Sequence, residues 1–372
     1  MRIGVDSRPL SEQKTSGIPL YVRSVLKELA ARDQDNEYVL YSNRDFHFDF
    51  PPHWAKRTGA RTRYGSVWVQ TELPFWLKKD RIDLLWGTEH VLPILLPTSV
   101  KTVLTVCDLV HTLYPDTMNS LNFLINKLLL SPSVRRADAI ITISHATLAD
   151  LKTHMRPSTD IVRAVHLGVS GAFSPRDPAR AREKVERFFP DLHPYILTVG
   201  TFEPRKNVAG LVRAFLRIAD RVPHTLAIAG QQGWKNASVL DEIERSGKKE
   251  RIRLLGYVPD EALPDLYAGA EVFAFPSLYE GFGLPPLEAM AAGVPVVCSN
   301  RSSLPEVVGE AALLVDPNDT EAIAQALLQA IENPPLRQDL ISRGLAQAAK
   351  FRWEKTADEI KNIFALVAKN RG

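Results

Sequence analysis

The fold is indicated by one stretch, Pro276-Ser-Leu-Tyr-Glu-Gly-Phe-Gly-Leu-Pro-Pro-Leu-Glu-Ala-Met-Ala-Ala-Gly-Val-Pro-Val-Val297. The apolar run before it, residues 272–275, predicts a buried strand that Pro276 ends. A loop with two glycines follows, and an Ala- and Met-rich helix then runs to Gly293. Pro285 and Pro286 suit the first turn of that helix, where backbone N–H groups have no partner within the helix. This order predicts a helix N-terminus that can bind a phosphate group.

Two carboxylates flank the start of this helix. Glu280 precedes the first glycine and Glu288 lies in the first helical turn. A glutamate in the first turn stabilises a helix by a few tenths of a kcal/mol, so Glu288 has a structural explanation as well as a functional one. The pattern offers no comparable explanation for Glu280. Because carboxylates accept hydrogen bonds from hydroxyl groups, the stretch predicts a ligand that carries both phosphate and sugar.

Length and composition indicate a soluble globular protein. The 372 residues suffice for two α/β domains, and 45% hydrophobic and 24% charged residues are ordinary values. A net charge of +3 gives no reason to expect nucleic-acid binding. Two cysteines indicate neither a disulfide framework nor a metal site. Neither a signal peptide nor an apolar run of membrane-spanning length is apparent, so we expect a cytoplasmic protein.

Residues 52–82 combine basic and aromatic side chains. This composition is compatible with peripheral contact with an anionic membrane surface, which would lie at the inner face of the membrane. The alternative, which we favour, is a solvated basic face that covers aromatic core residues. The basic residues are Lys56, Arg57, Arg61, Arg63, Lys78, Lys79 and Arg81, and the aromatic ones are Trp54, Tyr64, Trp68, Phe75 and Trp76.

Apolar runs alternate with helical patterns along the whole chain. The first half has predicted strands at 2–5, 37–41, 82–86, 102–106, 139–143 and 161–165, and helical patterns at 21–30, 67–77 and 121–130. The second half has predicted strands at 195–199, 225–229, 252–255, 272–275, 294–297 and 312–315. Such alternation predicts two doubly wound parallel sheets, each in its own α/β domain, with ligands bound in a cleft at the carboxyl ends of the strands.

A basic pair follows the first strand of the second half, in Gly200-Thr-Phe-Glu-Pro-Arg-Lys-Asn207. Arg205 and Lys206 precede a helix that begins near Val208. Cations at a helix N-terminus oppose the helix dipole, so their position favours a diphosphate-binding role over that of solvated loop charges. The next two loops, Gly230-Gln-Gln-Gly-Trp234 and Gly256-Tyr-Val-Pro259, either lay backbone against a planar base or are ordinary strand–helix turns.

Together these residues resemble the retaining GT-B glycosyltransferases of the family-four (group 1) type, mannosyltransferases among them. The resemblance spans nearly the whole chain and is carried by the following motifs. They are the Glu280-x7-Glu288 pair, Arg205-Lys206, Ser16-Gly-Ile-Pro-Leu-Tyr21, Ser303-Leu-Pro-Glu-Val-Val-Gly-Glu-Ala-Ala-Leu-Leu-Val-Asp-Pro317 and Phe351-Arg-Trp353. It implies two Rossmann-like domains that face a cleft. The first, residues 1–174 with a crossing helix at about 354–372, would be the acceptor side, and residues 175–353 would bind the nucleotide sugar.

The resemblance also implies an activity. The chain would transfer a hexose from a nucleotide diphosphate sugar to a hydroxyl of a saccharide or lipid-linked saccharide, with retention of configuration. Mannose, and hence GDP-mannose as the donor, is favoured. The setting implied is surface polysaccharide or glycolipid assembly, and no metal or other cofactor is needed because two cations and helix dipoles neutralise the leaving group.

The resemblance assigns roles to individual residues. Arg205 and Lys206 would hold the diphosphate, Glu280 would contact the donor sugar, and Glu288 would bind the ribose. The expected catalytic residues are Glu280, Lys206, Arg205 and Asp108. The expected donor-binding residues are Gly17, Gly200, Arg205, Lys206, Tyr257, Val258, Glu280, Phe282, Gly283, Leu284 and Glu288.

One departure from the family pattern concerns the first half. Many relatives have His-Asp after the strand predicted at 102–106, whereas this chain has Cys107-Asp108. A thiol cannot replace an imidazole at a donor sugar, and His111 is either a substitute or an acceptor-side or structural residue. This departure keeps one alternative open, a nucleotide-sugar-binding subunit without turnover. A sugar-nucleotide epimerase on the same fold is a further alternative.

Overall fold

The structure, a computed structural model, describes residues 1–12, 17–62, 64–117, 120–231, 233 and 237–369. The chain divides into two compact units. Unit 1 comprises Met1–Gly168 and Arg352–Gly372, and unit 2 comprises Val169–Phe351. The predicted boundary, between residues 174 and 175, lies a few residues after the one between the units.

Unit 1 contains a parallel sheet of seven strands in the order β3-β2-β1-β4-β5-β6-β7. Its strands are β1 Arg2–Asp6, β2 Glu37–Ser42, β3 Ala55–Thr58, β4 Leu84–Gly87, β5 Lys101–Val106, β6 Ala139–Thr142 and β7 Val162–Ala164. Its helices are α1 Ile18–Arg32, α2 Gly65–Thr71, α3 Leu73–Lys79, α4 Val110–Leu113, α5 Ser120–Arg136, α6 His145–His154 and, at the end of the chain, α15 Trp353–Lys369. The central strands are buried on both faces, which explains why they are nearly continuous apolar runs.

Two features of unit 1 differ from the sequence predictions. Strand β3 was not predicted, because Ala55-Lys-Arg-Thr58 has no apolar pattern, and it pairs with β2 alone at the edge of the sheet. The single helix predicted at 67–77 is two helices that meet at Glu72. Pro74 lies in the first turn of α3, where proline is tolerated, and it lacks the N–H that a continuous helix would need there.

The aromatic residues of 52–82 divide between the interior and the surface. Trp54 and Trp68 are buried, as the alternative of core aromatics predicts, while Tyr64 and Phe75 are exposed. None of the helices in the described ranges is long and apolar enough to cross a membrane.

The C-terminal helix α15 belongs to unit 1 and packs against α1. Asp358 of α15 forms an ion pair with Arg32 at 2.6 Å, and Phe364 lies edge to face with Trp86 of β4 at 5.7 Å. A Cβ at residue 168 would collide with the backbone of Trp353, so glycine is required where the two connecting segments meet in this unit.

Unit 2 contains a parallel sheet of six strands in the order β10-β9-β8-β11-β12-β13. Its strands are β8 Tyr195–Val199, β9 Thr225–Ala229, β10 Ile252–Gly256, β11 Val272–Phe275, β12 Val296–Ser299 and β13 Ala312–Val315. Its helices are α7 Pro178–Phe188, α8 Val208–Ile218, α9 Ala237–Arg245, α10 Leu263–Gly269, α11 Leu284–Ala291, α12 Leu304–Val308, α13 Thr320–Glu332 and α14 Pro334–Ala348.

The strand order of each sheet reverses at one point. In unit 1 the chain leaves β1 towards β2 and β3 and resumes with β4 on the other side, and in unit 2 the reversal lies between β8 and β11. Loops on either side of such a reversal run in opposite directions and leave a crevice at the carboxyl ends of the strands. A functional site is therefore expected at these two edges.

Candidate active site

The basic pair of unit 2 lies at the carboxyl end of β8. Arg205 and Lys206 lie on a short 3₁₀ turn, and Asn207 follows in the left-handed conformation with φ 53°. The Asn207 side-chain amide donates to the carbonyls of Pro276 at 3.1 Å and Pro317 at 2.7 Å. Asn207 thus ties together the loops after β8, β11 and β13, which fixes the start of α8 and with it the basic pair.

Glu280 joins this pair to the glycine loop after β11. Its carboxylate accepts hydrogen bonds from Lys206 Nζ at 2.7 Å and from Arg205 Nη1 at 2.8 Å. The Arg205 Nε also donates to Glu203 at 2.9 Å. The four side chains form a compact cluster, at most 20% exposed, of two cations and two anions. Glu280 therefore has a structural role, which the sequence pattern did not reveal.

Burial and charge oppose each other within this cluster. Burial acts to raise the pKa of Glu280, but the adjacent charges of Lys206 and Arg205 outweigh it and lower that pKa. Burial lowers the pKa of Lys206, and the charge of Arg205 acts in the same direction against the attraction of Glu280. The Lys206 ammonium also lies 4.9 Å from the centre of the Phe275 ring. Removing Glu280 would leave two adjacent, partly buried cations without their shared partner, and only Arg205 would keep an ion pair, with Glu203.

The glycine loop leads directly into α11. Gly283 has φ 125°, which disfavours any side chain, and a Cβ there would also lie 2.7 Å from Leu304. The Ser303 hydroxyl shares its one proton between the carbonyls of Glu280 at 2.9 Å and Phe282 at 2.5 Å, so the residue before α12 holds the loop in place. Leu284 then begins the helix, with proline at the next two positions. The backbone of residues 282–284 is thereby held at the N-terminus of α11, beside the cluster that Glu280 forms with the two cations.

Glu288 lies one turn into α11, beyond the first turn predicted for it, and points into the interior. The Tyr267 hydroxyl of α10 donates to its Oε2 at 2.9 Å, and both side chains are buried. Burial raises the pKa of Glu288 to about 7, the charge of Asp260 adds to this, and the hydrogen bond from Tyr267 opposes it. This tyrosine was not singled out from the sequence, because its apolar surroundings are typical of a core residue.

The loops after β8, β9 and β10 pack tightly at the same edge. Gly230 donates its N–H to the carbonyl of Gly256 at 2.7 Å, and a Cβ at residue 230 would collide with the carbonyl of Gly200. Close backbone packing therefore explains Gly230 without a ligand. Of the residues predicted to bind the nucleotide, Tyr257 is 54% exposed and Val258 is buried. Gln232 and Trp234 of the predicted loop lie outside the described residues.

In unit 1, Cys107 and Asp108 directly follow β5. Cys107 is buried, and burial, followed by the charges of Asp108 and Glu89, raises the pKa of its thiol well above the usual value. The Asp108 carboxylate accepts the N–H of Val110 at 3.0 Å and so supports the start of α4. Burial, with the charge of His90, lowers the pKa of His111 to about 4, and its Nε2 lies 2.9 Å from the Thr112 hydroxyl. This edge therefore holds the neutral thiol of Cys107 and the neutral imidazole of His111, which is hydrogen-bonded to Thr112.

The N-terminal glycine predicted near the donor phosphates begins α1. Gly17 has φ 65°, and a Cβ there would meet no atom within 4 Å, so the conformation and not crowding favours glycine. Ser16, which belongs to the same predicted motif, lies outside the described residues.

Two other polar features lie away from these edges. The one Asp-x-Asp sequence in the chain, Asp33-Gln-Asp35, precedes β2 at the amino edge of its sheet, and Asp33 is buried against Asn36, Tyr38 and Lys361. A cavity of about 440 Å³ lies at the amino ends of β5, β6 and β7. Its charges pair with one another, for example Lys101 with Asp138 at 3.3 Å.

Comparison with known proteins identifies relatives that cover both units. The family model "Glycosyltransferase Family 4" matches residues 15–171, and the model "Glycosyl transferases group 1" matches residues 179–347. The O-antigen chain mannosyltransferase B of Escherichia coli is 33% identical over 385 aligned positions, which cover 99% of this chain and 100% of that protein. The serotype-specific mannosyltransferase WbdA of Escherichia coli is 33% identical over 269 positions, 69% of this chain and 32% of that protein.

Solved structures share the fold at lower identity. Sucrose-phosphate synthase from Thermosynechococcus elongatus has a TM-score of 0.80 at 22% identity and covers 99% of both chains. WaaG, a glycosyltransferase involved in lipopolysaccharide biosynthesis, has a TM-score of 0.75 at 16% identity, with 98% of this chain and 99% of that one covered. The predicted GT-B architecture is thereby confirmed.

Proposed function

Because this chain belongs to the group 1 and family 4 glycosyltransferases, we propose that it transfers mannose from GDP-mannose to a saccharide hydroxyl with retention of configuration. The reaction class follows from the family, since the chain is a glycosyltransferase acting on a nucleotide-sugar donor and a saccharide acceptor. The choice of mannose is supported by the names of the two Escherichia coli relatives. The first of these names also supports a place in O-antigen or related surface polysaccharide assembly.

The observation that carries the proposal is the cluster of Arg205, Lys206 and Glu280 beside the N-terminus of α11. A leaving nucleoside diphosphate develops negative charge as the glycosidic bond breaks. Two fixed cations and a helix N-terminus stabilise that charge without reorganisation during the reaction. Since these groups supply positive charge themselves, we propose that the reaction needs no metal ion.

The proposed reaction proceeds on one face of the sugar. The bond from the anomeric carbon to the donor phosphate breaks, the acceptor oxygen forms its bond on the same face, and a phosphate oxygen takes the acceptor proton. The protein then contributes position and electrostatic stabilisation. We propose that Arg205 and Lys206 bind the diphosphate, that Glu280 orients them and contacts the donor sugar, and that Glu288 binds the ribose. The backbone of Phe282, Gly283 and Leu284 would contact sugar and phosphate.

Other predicted contacts are part of the same proposal. Gly200, Tyr257 and Val258 would lie along the nucleotide, and Gly17 and Asp108 would be the contributions of unit 1. Asp108 would act through the position of its loop, because its carboxylate already accepts the N–H of Val110.

A thermal-shift screen with GDP-, UDP- and dTDP-sugars tests the donor. A ligand that binds only the folded protein at about a hundred times its Kd stabilises it by about 2.7 kcal/mol. We expect GDP-mannose to give the largest shift, and the Lys206→Ala variant to lose it. A larger shift with a UDP-sugar would contradict the proposed donor.

Transfer of radiolabelled mannose to a saccharide then separates the proposal from its alternatives. A binding subunit would bind the donor and release no GDP, and an epimerase would convert the donor without steady-state release of the nucleotide. The configuration of the new linkage, read from the anomeric coupling in an NMR spectrum, tests retention.

A further inference from the structure

The crevice at the strand reversal of unit 1 contains a group of charged side chains not assigned above. It lies between the ends of β1 and β4, and we call it the β1–β4 crevice; its residues are Asp6, Arg8, Thr88, Glu89 and His90. The Thr88 hydroxyl donates to the carbonyl of Asp6 at 2.6 Å, which joins the two strand ends. Parallel α/β sheets bind ligands at such a reversal.

Arg8 is fixed within the crevice by Asp6. Its Nε donates to Oδ1 at 2.8 Å and its Nη2 to Oδ2 at 2.7 Å, and its side chain is 12% exposed. Nη1 makes no hydrogen bond to the part of the chain that the structure describes. A guanidinium held on two nitrogens thus retains donors for a further partner.

Glu89 lies close to Arg8 and is half-buried. Within the described ranges no group donates a hydrogen bond to its carboxylate. Burial raises the pKa of Glu89, and the charges of Arg8 and His90 oppose this rise. A half-buried carboxylate without a donor is unfavourable in the free protein, and it gains when a ligand supplies hydroxyl groups.

His90 holds the backbone after Glu89 in a strained turn. Its φ is 55°, and the N–H of Val91 donates to the carbonyl of Glu89 at 2.5 Å, which closes a three-residue γ-turn of the rare positive-φ form. The N–H of His90 donates to Thr105 of β5 at 3.0 Å, and its Nδ1 is buried without a partner in the described part of the chain. Strain of this kind persists where the surroundings impose it, and it is common at ligand-binding sites.

The charges of the crevice favour a neutral ligand. Asp6 neutralises Arg8, so Glu89 leaves the group with a net negative charge, and neighbouring Cys107 and His111 add no positive charge because both are neutral. A diphosphate would be repelled here, whereas a sugar hydroxyl can donate to Glu89 and accept from Arg8.

We propose that the β1–β4 crevice binds a neutral sugar ring of the acceptor saccharide, with Glu89 accepting from one hydroxyl and Arg8 donating to a neighbouring one. This inference rests on the proposed function for the identity of the acceptor. The strained turn at His90 acts through Glu89, because the turn includes Glu89 and fixes the backbone from which its side chain projects.

The Glu89→Gln variant tests the inference, since it keeps the shape of the side chain and removes its charge. Its matched control is Glu37→Gln, an exposed glutamate at the amino end of β2 in the same sheet. We expect Glu89→Gln to raise the KM for the acceptor at least about tenfold, the usual loss for a hydrogen bond to a charged group. The Kd for GDP-mannose should change less than about twofold, and Glu37→Gln should change neither.

A second measurement separates this inference from the proposed function. Calorimetric titration of the wild type and Glu89→Gln with neutral oligosaccharides that end in mannose, glucose, galactose or N-acetylglucosamine needs no transfer reaction. Saccharide binding by the wild type that Glu89→Gln weakens supports the inference, even if GDP-mannose is not the donor. Equal binding by both proteins, binding by neither, or a loss of GDP-mannose affinity in Glu89→Gln would overturn it.

Discussion

The Tyr267 hydroxyl donates a hydrogen bond of 2.9 Å to Oε2 of Glu288 in a site where both side chains are buried. The tyrosine ring is held between Phe173 at 5.4 Å and Phe273 at 5.3 Å, so its hydroxyl has a fixed position. Of the two carboxylate oxygens of Glu288, one is therefore occupied within the protein. A ligand that reaches Glu288 would meet a carboxylate whose orientation is set in advance.

The buried carboxyl of Glu288 should make stability depend on pH. Its pKa in the folded protein is about 7, above its ordinary value of 4.5, so the folded protein binds more protons than the unfolded one between these values. Stability contributed by this group is therefore lost as pH rises towards and through 7. We expect Glu288→Gln, which stays neutral, to gain stability relative to the wild type by about 2 kcal/mol more at pH 8 than at pH 5.5.

Urea unfolding of both proteins at the two pH values measures this difference. Glu261→Gln is the control, because Glu261 is exposed. A constant difference between Glu288→Gln and the wild type across this range would show that the carboxyl of Glu288 does not titrate there.

The Tyr267→Phe variant tests whether this hydrogen bond prepares Glu288 for the ribose. The bond lowers the pKa of Glu288, so its removal should raise that pKa further. If the ionised carboxylate binds ribose hydroxyls, donor affinity should rise with pH through about 7 in the wild type and at a higher pH in the variant. The Kd for GDP-mannose as a function of pH measures both midpoints. A weaker affinity with an unchanged midpoint would indicate only a packing defect at Tyr267.

The sequence predicts the frame of this site well, because its strands are buried parallel strands. Residues 195–199, 225–229 and 272–275 are apolar runs that end at glycine or proline, and the structure has strands with these bounds. The helix after the glycine loop begins at Leu284 because both prolines suit its first turn. Periodicity and turn residues therefore place the functional loops.

Such patterns do not predict the side-chain contacts within the site. Glu280 and Arg205 are 75 residues apart in sequence, and their ion pair depends on β8 and β11 lying side by side. Gly230 looks like a ligand-binding glycine in the sequence, but the backbone of Gly200 is what excludes a side chain there. No sequence pattern predicts the turn at His90, since the surrounding structure decides whether a histidine adopts a left-handed conformation.

The cluster around Glu280 should respond unequally to loss of its members. Lys206→Met leaves Glu280 paired with Arg205, whereas Glu280→Ala leaves two partly buried cations without their shared partner. We expect both variants to lower turnover at least about a hundredfold, or about 2.7 kcal/mol of transition-state stabilisation. Only Glu280→Ala should also lose about 3 to 5 kcal/mol of unfolding free energy.

Turnover of GDP-mannose and urea unfolding provide the two readouts. Glu332→Gln, which breaks the exposed ion pair with Arg221, is the control and should cost less than about 1 kcal/mol. The order of stabilities is the decisive result, since a Glu280→Ala protein as stable as Lys206→Met would refute the shared-partner arrangement.

The thiol of Cys107 should be dispensable for transfer activity, whereas the size of the side chain at this position should affect stability. It is buried, and its raised pKa keeps the thiol protonated, so it is neither a nucleophile nor a base at neutral pH. We expect Cys107→Ala to keep transfer activity within about threefold and to lose about 1 kcal/mol of stability, as for a small buried side chain. Cys107→His should lose about 1 to 3 kcal/mol because the larger ring must enter a buried site.

Transfer assays and thermal unfolding of the two variants, with Cys298→Ala as the control, measure these effects, since Cys298 is equally buried in the other sheet. Native protein should also resist a thiol reagent at both cysteines until it is unfolded, because neither thiol is exposed. A Cys107→His variant that is both stable and more active than the wild type would mean that the site accommodates an imidazole and benefits from it.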